Sequence, residues 1–520
     1  LAPLEGVRRH AARSAEMEDG LAAPSAPILL QPKGAEPLAP GVAPGQDDLG
    51  WMLPTTPLHA LLCQAVGRPL VMTSGNLSGQ PMAIANPEAR AKLAPFADAF
   101  LMHDRPIARR IDDSVARRGP HGPQLLRRAR GFAPATLPLP PGLSEAPPIL
   151  AYGGHLKAAL CLTRDGAALL RHHLGDLAAP LCAEEFLRAE ADCAQLFDHA
   201  PAALACDLHP DYRASRRAAA RAEAEGLPLP RVQHPHAHIA AVMAEHGLPP
   251  SRSVIGLCLD GLGLGPDGGV WGGEVLLCRY AGFTRLAHLA PVPLPGGDAA
   301  QREPWRNLLA QLDAADLAAE ADRLLPDKPL TPLRAAVAAG VNAPLGSSAG
   351  RLFDAVAALA GCAPDRLSHE GEAAMALEAL ARQAPAAPPL AFSVERAPPT
   401  NVKPDGSTVA AARTAPAATQ ALRLDWAAAL KLREDPAALA AGFHRGLAEA
   451  LAAQARHLAE THGADAVALS GGVYANRLLT DLTVEALAPL QVLLAHEAPM
   501  NDGGLALGQA AVAAARMLKL

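Results

Sequence analysis

The chain has 520 residues, 50% of them hydrophobic and 3% aromatic, with a formal net charge of −6. That length and apolar fraction support two or three packed domains, while the negative balance and scarcity of rings exclude a general affinity for nucleic acid or an anionic membrane and a base-stacking surface. No run of about 18 apolar residues predicts a membrane span, and the opening Leu1-Ala2-Pro3-Leu4, with neither an initiator Met nor a signal pattern, reads as the cut end of a longer protein.

The eight cysteines (Cys63, Cys161, Cys182, Cys193, Cys206, Cys258, Cys278 and Cys362) form no CxxC pair, and several sit in apolar runs. They read as reduced core residues of a cytoplasmic protein rather than as disulfides or thiolate metal sites.

In chain order, apolar residues 70–72 lead into the polar turn 73–79, which opens Thr73-Ser74-Gly75-Asn76. Its hydroxyls and amide would line a small polar pocket, or merely make a turn. Eight arginines lie between Arg105 and Arg130. Guanidinium forks suit phosphate oxygens; a solvated basic face or an RNA-facing patch is the competing reading. A Pro/Ala-rich stretch at about 133–149 reads as an extended, solvated linker between an N-terminal α/β piece and a long C-terminal piece. A second stretch, 383–420, reads as a mobile surface insertion.

Beyond the linker, apolar runs alternate with glycine turns and Ala-rich helical segments, which is the pattern of α/β layers, with no tandem repeat of fixed period. Residues 149–151, 254–259 and 464–469 are such runs. They are stopped by Tyr152-Gly153-Gly154-His155-Leu156-Lys157, by Asp260-Gly261-Leu262-Gly263-Leu264-Gly265, and by Ser470-Gly471-Gly472. Another run, 274–280, is entered through Trp271-Gly272-Gly273. Unhindered amides beyond a strand's carboxyl end suit phosphate, so three such turns predict a nucleotide cleft, although none matches the P-loop or the full dinucleotide fingerprint.

The segment Gln233-His234-Pro235-His236-Ala237-His238 predicts a helix start, with His234 at the cap and Pro235 in the first turn. His234 and His238 then share one face while His236 points elsewhere. Two imidazoles on one face are half a metal site or ordinary surface histidines. Asp260 and Asp502, each beside glycines, are the candidates to complete it.

Taken in order, these segments resemble the HypF-type hydrogenase-maturation carbamoyltransferases. Residues 1–137 resemble the latter part of a YrdC/Sua5-like α/β adenylating domain through 52–59, 71–79 and Arg109-Arg110-Ile111-Asp112-Asp113-Ser114-Val115. After a linker at 138–146, residues 147–520 resemble a Kae1-like domain of the actin/Hsp70/sugar-kinase (ASKHA) fold. That match runs through Gln233–His238, Asp260–Gly265, Trp271–Glu274, Pro295-Gly296-Gly297-Asp298, Glu303-Pro304-Trp305-Arg306, Ser347–Asp354, His369-Glu370-Gly371-Glu372, 469–476 and 501–509. The family's acylphosphatase domain, its paired CxxC modules and the Lys-Arg opening of the YrdC-like domain have no counterpart here, so the YrdC-like domain is expected to be N-terminally incomplete.

The resemblance implies an ATP-dependent carbamoyltransferase. Carbamate from carbamoyl phosphate is joined to ATP as carbamoyl-adenylate, and the carbamoyl group passes to the C-terminal cysteine of a HypE-type partner for cyanide ligand synthesis. It implies that His234, His238, Asp260 and Asp502 hold a divalent metal (Fe or Zn) and act in catalysis, with Mg accompanying ATP. It implies that Gly154, Lys157, Gly272, Gly273, Glu274, Asp354, Gly371, Gly472 and Asn476 border the nucleotide. Thr73, Ser74, Asn76, Ser114 and Arg130 would line the adenylation pocket. No nucleic acid or membrane partner is expected. An antibiotic O-carbamoyltransferase shares both domains in reverse order. A tRNA threonylcarbamoylation enzyme is disfavoured by residues 295–298 and 303–306 and by the negative charge, and a non-catalytic scaffold has no need of metal ligands.

Overall fold

The computed structural model of the protein describes residues 1–12, 14–77, 79–397 and 419–520. One residue of the polar turn 73–79, and residues 398–418 of the second Pro/Ala-rich stretch, therefore lie outside the described residues. Among the described residues no helix is long and apolar enough to cross a membrane.

The N-terminal piece is built on four strands, β1 (Ile28–Pro32), β2 (Asp48–Trp51), β3 (Val115–Gly119) and β4 (Gly122–Arg127), in the order β2-β1-β3-β4. Their buried residues Leu29, Leu49, Trp51, Ala116 and Leu125 pack with Val7, Met17 and Leu21 of two short helices. Apolar residues 70–72 form no strand, and Val71 is 75% exposed.

The linker expectation needs correction. Leu137–Pro138 is an edge strand (β5), and Leu137, Leu139 and Leu143 are buried in the following core. Proline and alanine mark the stretch as a linker, but its three leucines supply apolar area that gains by leaving water.

Two sheets follow. The first contains β6 (Ile149–Ala151), β7 (Cys161–Arg164), β8 (Ala167–Leu170), β9 (Ala203–Asp207) and β10 (Arg231–Val232), in the order β10-β9-β6-β7-β8 with β5 beyond β8. The second has β11 (Val254–Leu264), β12 (Val270–Cys278), β13 (Phe283–Leu289), β14 (Val292–Pro293), β15 (Leu345–Gly346), β16 (Phe392–Ala397), β17 (Thr419–Leu424), β18 (Ala466–Ser470) and β19 (Gln491–Leu494). Its main path is β16-β17-β13-β12-β11-β18-β19.

The two sheets repeat one plan. In the first, β6, β7 and β8 form an antiparallel meander and β9 and β10 add in parallel on the other side of β6; in the second, β11, β12 and β13 form the meander and β18 and β19 add in parallel beyond β11 as its fourth and fifth strands in this plan. This duplicated frame is that of the actin/Hsp70/sugar-kinase fold. The sequence shows no repeat because the frame needs only apolar strands in the same order, not the same residues.

Each fifth strand leads to a helix, His234–Glu245 after β10 and Leu505–Met517 after β19. Both are buried nearly all round, as helices between layers must be. They touch closely enough that a β-carbon on Gly508 would lie 1.8 Å from the Ala237 carbonyl oxygen, so only glycine fits there.

Two further expectations change. Asp260-Gly261 does not stop a strand, because β11 runs on to Leu264 through a register shift between Leu259 and Gly263. The reversal comes later, where Gly265 N–H donates to Gly269 O. The second Pro/Ala-rich stretch is likewise not all surface insertion, since Phe392–Ala397 pairs with Thr419–Leu424 at the sheet edge.

The arginine cluster also resolves into docking contacts. Arg109 forks the Asp192 carboxylate at 2.9 and 2.8 Å, and Arg110 pairs with Glu185. Buried Arg117 donates to the carbonyls of Tyr474, at 2.9 Å, and Ala475. Fully buried Arg128 donates to Glu497 O at 3.1 Å. These side chains fasten the N-terminal piece to the two sheets, which replaces the solvated-face and RNA-patch readings for them. Sequence alone cannot show this, because every partner is distant along the chain.

Candidate metal and nucleotide site

Where the two sheets meet, His234, His238, Asp260 and Asp502 converge, with one ligand atom of each within 4.8 Å of the others. Helix periodicity puts the two imidazoles side by side, their ring centroids 4.9 Å apart. Gln233, rather than His234, caps this helix, its side chain accepting from His236 N–H at 2.9 Å. Asp260 comes from β11 and Asp502 from the turn before the helix Leu505–Met517.

Within the cluster, His234 Nε2 lies 3.1 Å from Asp260 Oδ2 and 3.6 Å from Asp502 Oδ1. His238 Nε2 lies 3.3 and 3.6 Å from the same two atoms. Asp260 Oδ1 accepts the Gly472 N–H at 3.1 Å.

Burial works against the charged form of every member. Burial alone would lower the pKa of His234, but Asp502 and Asp207 hold it well above the usual imidazole value. Burial would raise the pKa of Asp260, but His234 and His238 hold it well below the carboxylate range, and Asp502 is lowered against burial in the same way. His236 points elsewhere as expected. Its Nε2 meets Arg279 O at 2.7 Å, and burial pushes its pKa down to about 4.

The donor set fits a divalent metal. Two imidazoles and two carboxylates are borderline ligands that suit zinc or iron. Buried His238 Nε2 has no hydrogen-bond partner and faces the two carboxylates, so a cation binding there would take the place of the proton they favour on the ring.

Sequence reasoning missed Asp207. Its Oδ2 lies 2.7 Å from His234 Nδ1, and both residues are fully buried. The only signal was its place at the end of the apolar run 203–207. Gln509 is the other omission. It accepts the Gly153 N–H at 2.9 Å and donates to Gly153 O at 3.1 Å, pinning the first glycine turn. Gly153 has φ +69°, and a β-carbon there would strike Ala159 O at 2.4 Å.

The expected nucleotide residues divide into three groups. Gly154 and Gly472 lie at the cluster itself: a β-carbon on Gly154 would be 3.0 Å from Asp502 Oδ2, and one on Gly472 would be 3.1 Å from Asp260 Oδ1. Lys157 pairs with Glu370 at 2.5 Å, joining the first sheet's glycine turn to the segment containing Gly371, which caps the helix Glu372–Ala381. Burial lowers the Lys157 pKa, but Glu370, Asp502 and Asp260 outweigh it.

The remaining expected residues are buried and bonded within the frame. Glu274 is fully buried, with Arg285 at 2.6 and 3.0 Å and Ser347 at 2.5 Å, and it accepts the amides of Gly272 and Gly273 at 3.2 and 3.4 Å. Gly272 and Gly273 let Asp260 O and Ser347 O approach, at 2.7 and 2.6 Å from where β-carbons would stand. Asp354 is buried beside Arg351 at 2.7 Å. Asn476 caps the helix Arg477–Leu487 and donates to His444 Nε2 at 2.9 Å.

In the N-terminal piece, Ser114 is buried and its hydroxyl is committed, donating to Arg130 O at 2.9 Å and accepting from Ala129 N–H at 2.8 Å. Arg130 pairs with Asp113 at 2.8 Å. Thr73 and Ser74 are exposed, and Ser74 bonds Asn76. Among the described residues no hydrogen bond joins the 73–76 turn to Ser114 or Arg130. All eight cysteines are free, and seven are buried.

Three family models match in chain order: "Telomere recombination" of the Sua5/YciO/YrdC type at residues 2–129, "HypF Kae1-like domain" at 144–245, and "Carbamoyltransferase, Kae1-like Domain, second subdomain" at 256–509. The Rhodobacter capsulatus carbamoyltransferase HypF is 54% identical over 496 residues, which is 95% of this chain and 63% of that relative. The chain thus spans less than two thirds of the length of that curated relative. A full-length HypF structure in a phosphate- and nucleotide-bound form superposes with TM-score 0.87 at 33% identity, covering 99% of this chain and 78% of that one. The HypF of T. kodakarensis gives TM-score 0.86 at 32% identity, covering 99% and 67%. With both its YrdC-like and Kae1-like parts matched in one order and on one fold, the chain belongs to the HypF family of carbamoyltransferases.

Proposed function

We propose that this chain performs the carbamoyl-handling steps of [NiFe]-hydrogenase maturation in the cytoplasm, where its free cysteines would stay reduced. In this reading the YrdC-like domain joins carbamate, derived from carbamoyl phosphate, to Mg-bound ATP and releases pyrophosphate. The Kae1-like domain then passes the carbamoyl group to the C-terminal cysteine of a HypE-type protein. The buried His234–His238–Asp260–Asp502 cluster, with Gly154, Gly472 and Lys157 beside it, is the observation that carries it. The similar HypF solved with phosphate and nucleotide supports nucleotide binding here.

A divalent metal (iron or zinc) on those four side chains would supply a Lewis acid for a carbonyl or phosphoryl oxygen. The chain's own groups do the rest. Lys157 brings positive charge toward phosphate, while Gly154 and Gly472, having no side chains, leave room for it beside the two carboxylates. The nearly complete burial of the cluster's imidazoles limits water, which would hydrolyse carbamoyl-adenylate. The partner's thiolate attacks the carbamoyl carbon, the bond from that carbon to the phosphate oxygen breaks, and AMP leaves. Because that nucleophile arrives in trans, the chain needs no nucleophile–base pair of its own.

The test supplies preformed carbamoyl-adenylate and the partner to the purified chain and reads the partner's mass. Carbamoylation of the terminal cysteine is expected, with none from His234→Ala; an unmodified partner in the presence of metal- and nucleotide-loaded protein would sink the proposal. In the full-length protein, Arg130→Ala and Ser74→Ala should block adenylate formation yet still allow transfer from preformed adenylate.

A further inference from the structure

β10 pairs in parallel with β9 so that Val232 stands beside Asp207. Two residues later the central helix begins, which lays the His234 ring on the Asp207 carboxylate. Both of that carboxylate's oxygens are committed: Oδ2 sits 2.7 Å from His234 Nδ1, and Oδ1 accepts the His209 N–H at 2.8 Å. Ser215 Oγ also donates to Asp207 O at 3.2 Å. Asp207 and His234 are both 0% exposed, so water does not compete for these bonds. A carboxylate acceptor at this distance requires an imidazole proton on Nδ1 and turns Nε2 toward Asp260 and Asp502, where a bound cation would meet its lone pair.

His238 is held differently. Its Nδ1 faces Ser470 Oγ at 3.4 Å, and that hydroxyl donates to Met500 O at 3.1 Å. Ser470 ends β18, which pairs in parallel with the second sheet's first strand, just as Asp207 ends β9, which pairs in parallel with the first strand of the first sheet. Equivalent strand ends therefore back the two imidazoles, one with a charged acceptor and one with a neutral hydroxyl at the limit of bonding range.

We infer that Asp207 is a positioning residue for the metal site, fixing the ring and tautomer of His234 and making it the anchored ligand, while His238 is the adaptable one. This rests on the metal reading of the cluster given above. A carboxylate behind a ligating imidazole fixes its orientation and strengthens it as a donor.

The test strips wild-type, Asp207→Asn and Ser470→Ala chains with chelator, checks their folds by circular dichroism, and titrates each with Zn²⁺ against a chromophoric competitor. Asp207→Asn should lose about 10- to 100-fold in zinc affinity, and Ser470→Ala much less. Nitrogen NMR of labelled histidine in the zinc-loaded wild type should show His234 protonated on Nδ1. Equal affinity in Asp207→Asn and wild type overturns the inference, as does an Nε2–H tautomer at His234. The wild-type spectrum decides if the variant does not fold. A wild type that binds no zinc and no iron instead sinks the metal reading itself.

Discussion

The first sheet's five strands in the shared plan run to 3, 4, 4, 5 and 2 residues, and the second's to 11, 9, 7, 5 and 4. Between its third and fourth strands the first half carries a single helix, Pro180–Phe197, while the second half inserts residues 290–465. Despite that imbalance, the fifth strand in each half feeds a central helix, and the two helices meet at one place. The site's ligands are divided across this joint. Both imidazoles come from the helix after the first sheet, and both carboxylates come from the second half. A shared frame thus sets where the site lies, while the unlike residues at its matched ends give the proposed cation site a donor set that is complete only when the halves are docked.

The severest break removes one ligand from either half. His234→Ala and Asp502→Ala should each strip the metal and lower transfer by about 10³-fold, because a bound metal contributes several kcal/mol of transition-state stabilisation. Elemental analysis and partner mass spectrometry read the two losses. Retained metal in either variant would show that one half holds the ion without the other.

Next in size is the frame of the second half. Arg285→Ala leaves Glu274 buried and unpaired and should cost about 3–5 kcal/mol in denaturant unfolding. A loss confined to nucleotide affinity, with stability intact, would return Glu274 to the cleft border.

The joint itself is tested without touching a ligand. Gly508→Ala forces a β-carbon against Ala237 O and should cost about 1–3 kcal/mol. Because that contact holds the His238 helix against the Asp502 half, metal affinity should fall with it. Unchanged metal affinity in the destabilised variant would separate docking from ligation.

The smallest effect lies at the rim. In the proposed function Glu370 would compete with phosphate for Lys157, so Glu370→Gln should tighten ATP binding by up to about fivefold, within the range for exposed ion pairs. Lys157→Ala should weaken binding, and calorimetry reads both directions. Weaker binding in Glu370→Gln would mean that Glu370 itself contacts the nucleotide.

The sequence by itself determined what depends on near neighbours. Four-residue helical spacing put His234 and His238 on one face and turned His236 away, and apolar runs closed by glycines marked the strand ends where Gly154 and Gly472 now stand. Those patterns follow from the period of helix and strand, which a few residues define. Only the tertiary structure decided the rest. It brought Asp207 behind His234 from 27 residues away and Arg117 onto Tyr474 O from 357 away, and it drew the leucines of a proline-rich stretch into a core. It also carried β11 through its glycines and paired Glu274 with Arg285. A carboxylate or guanidinium carries no local mark of its partner, because buried charges are paired by whichever strands the fold places side by side.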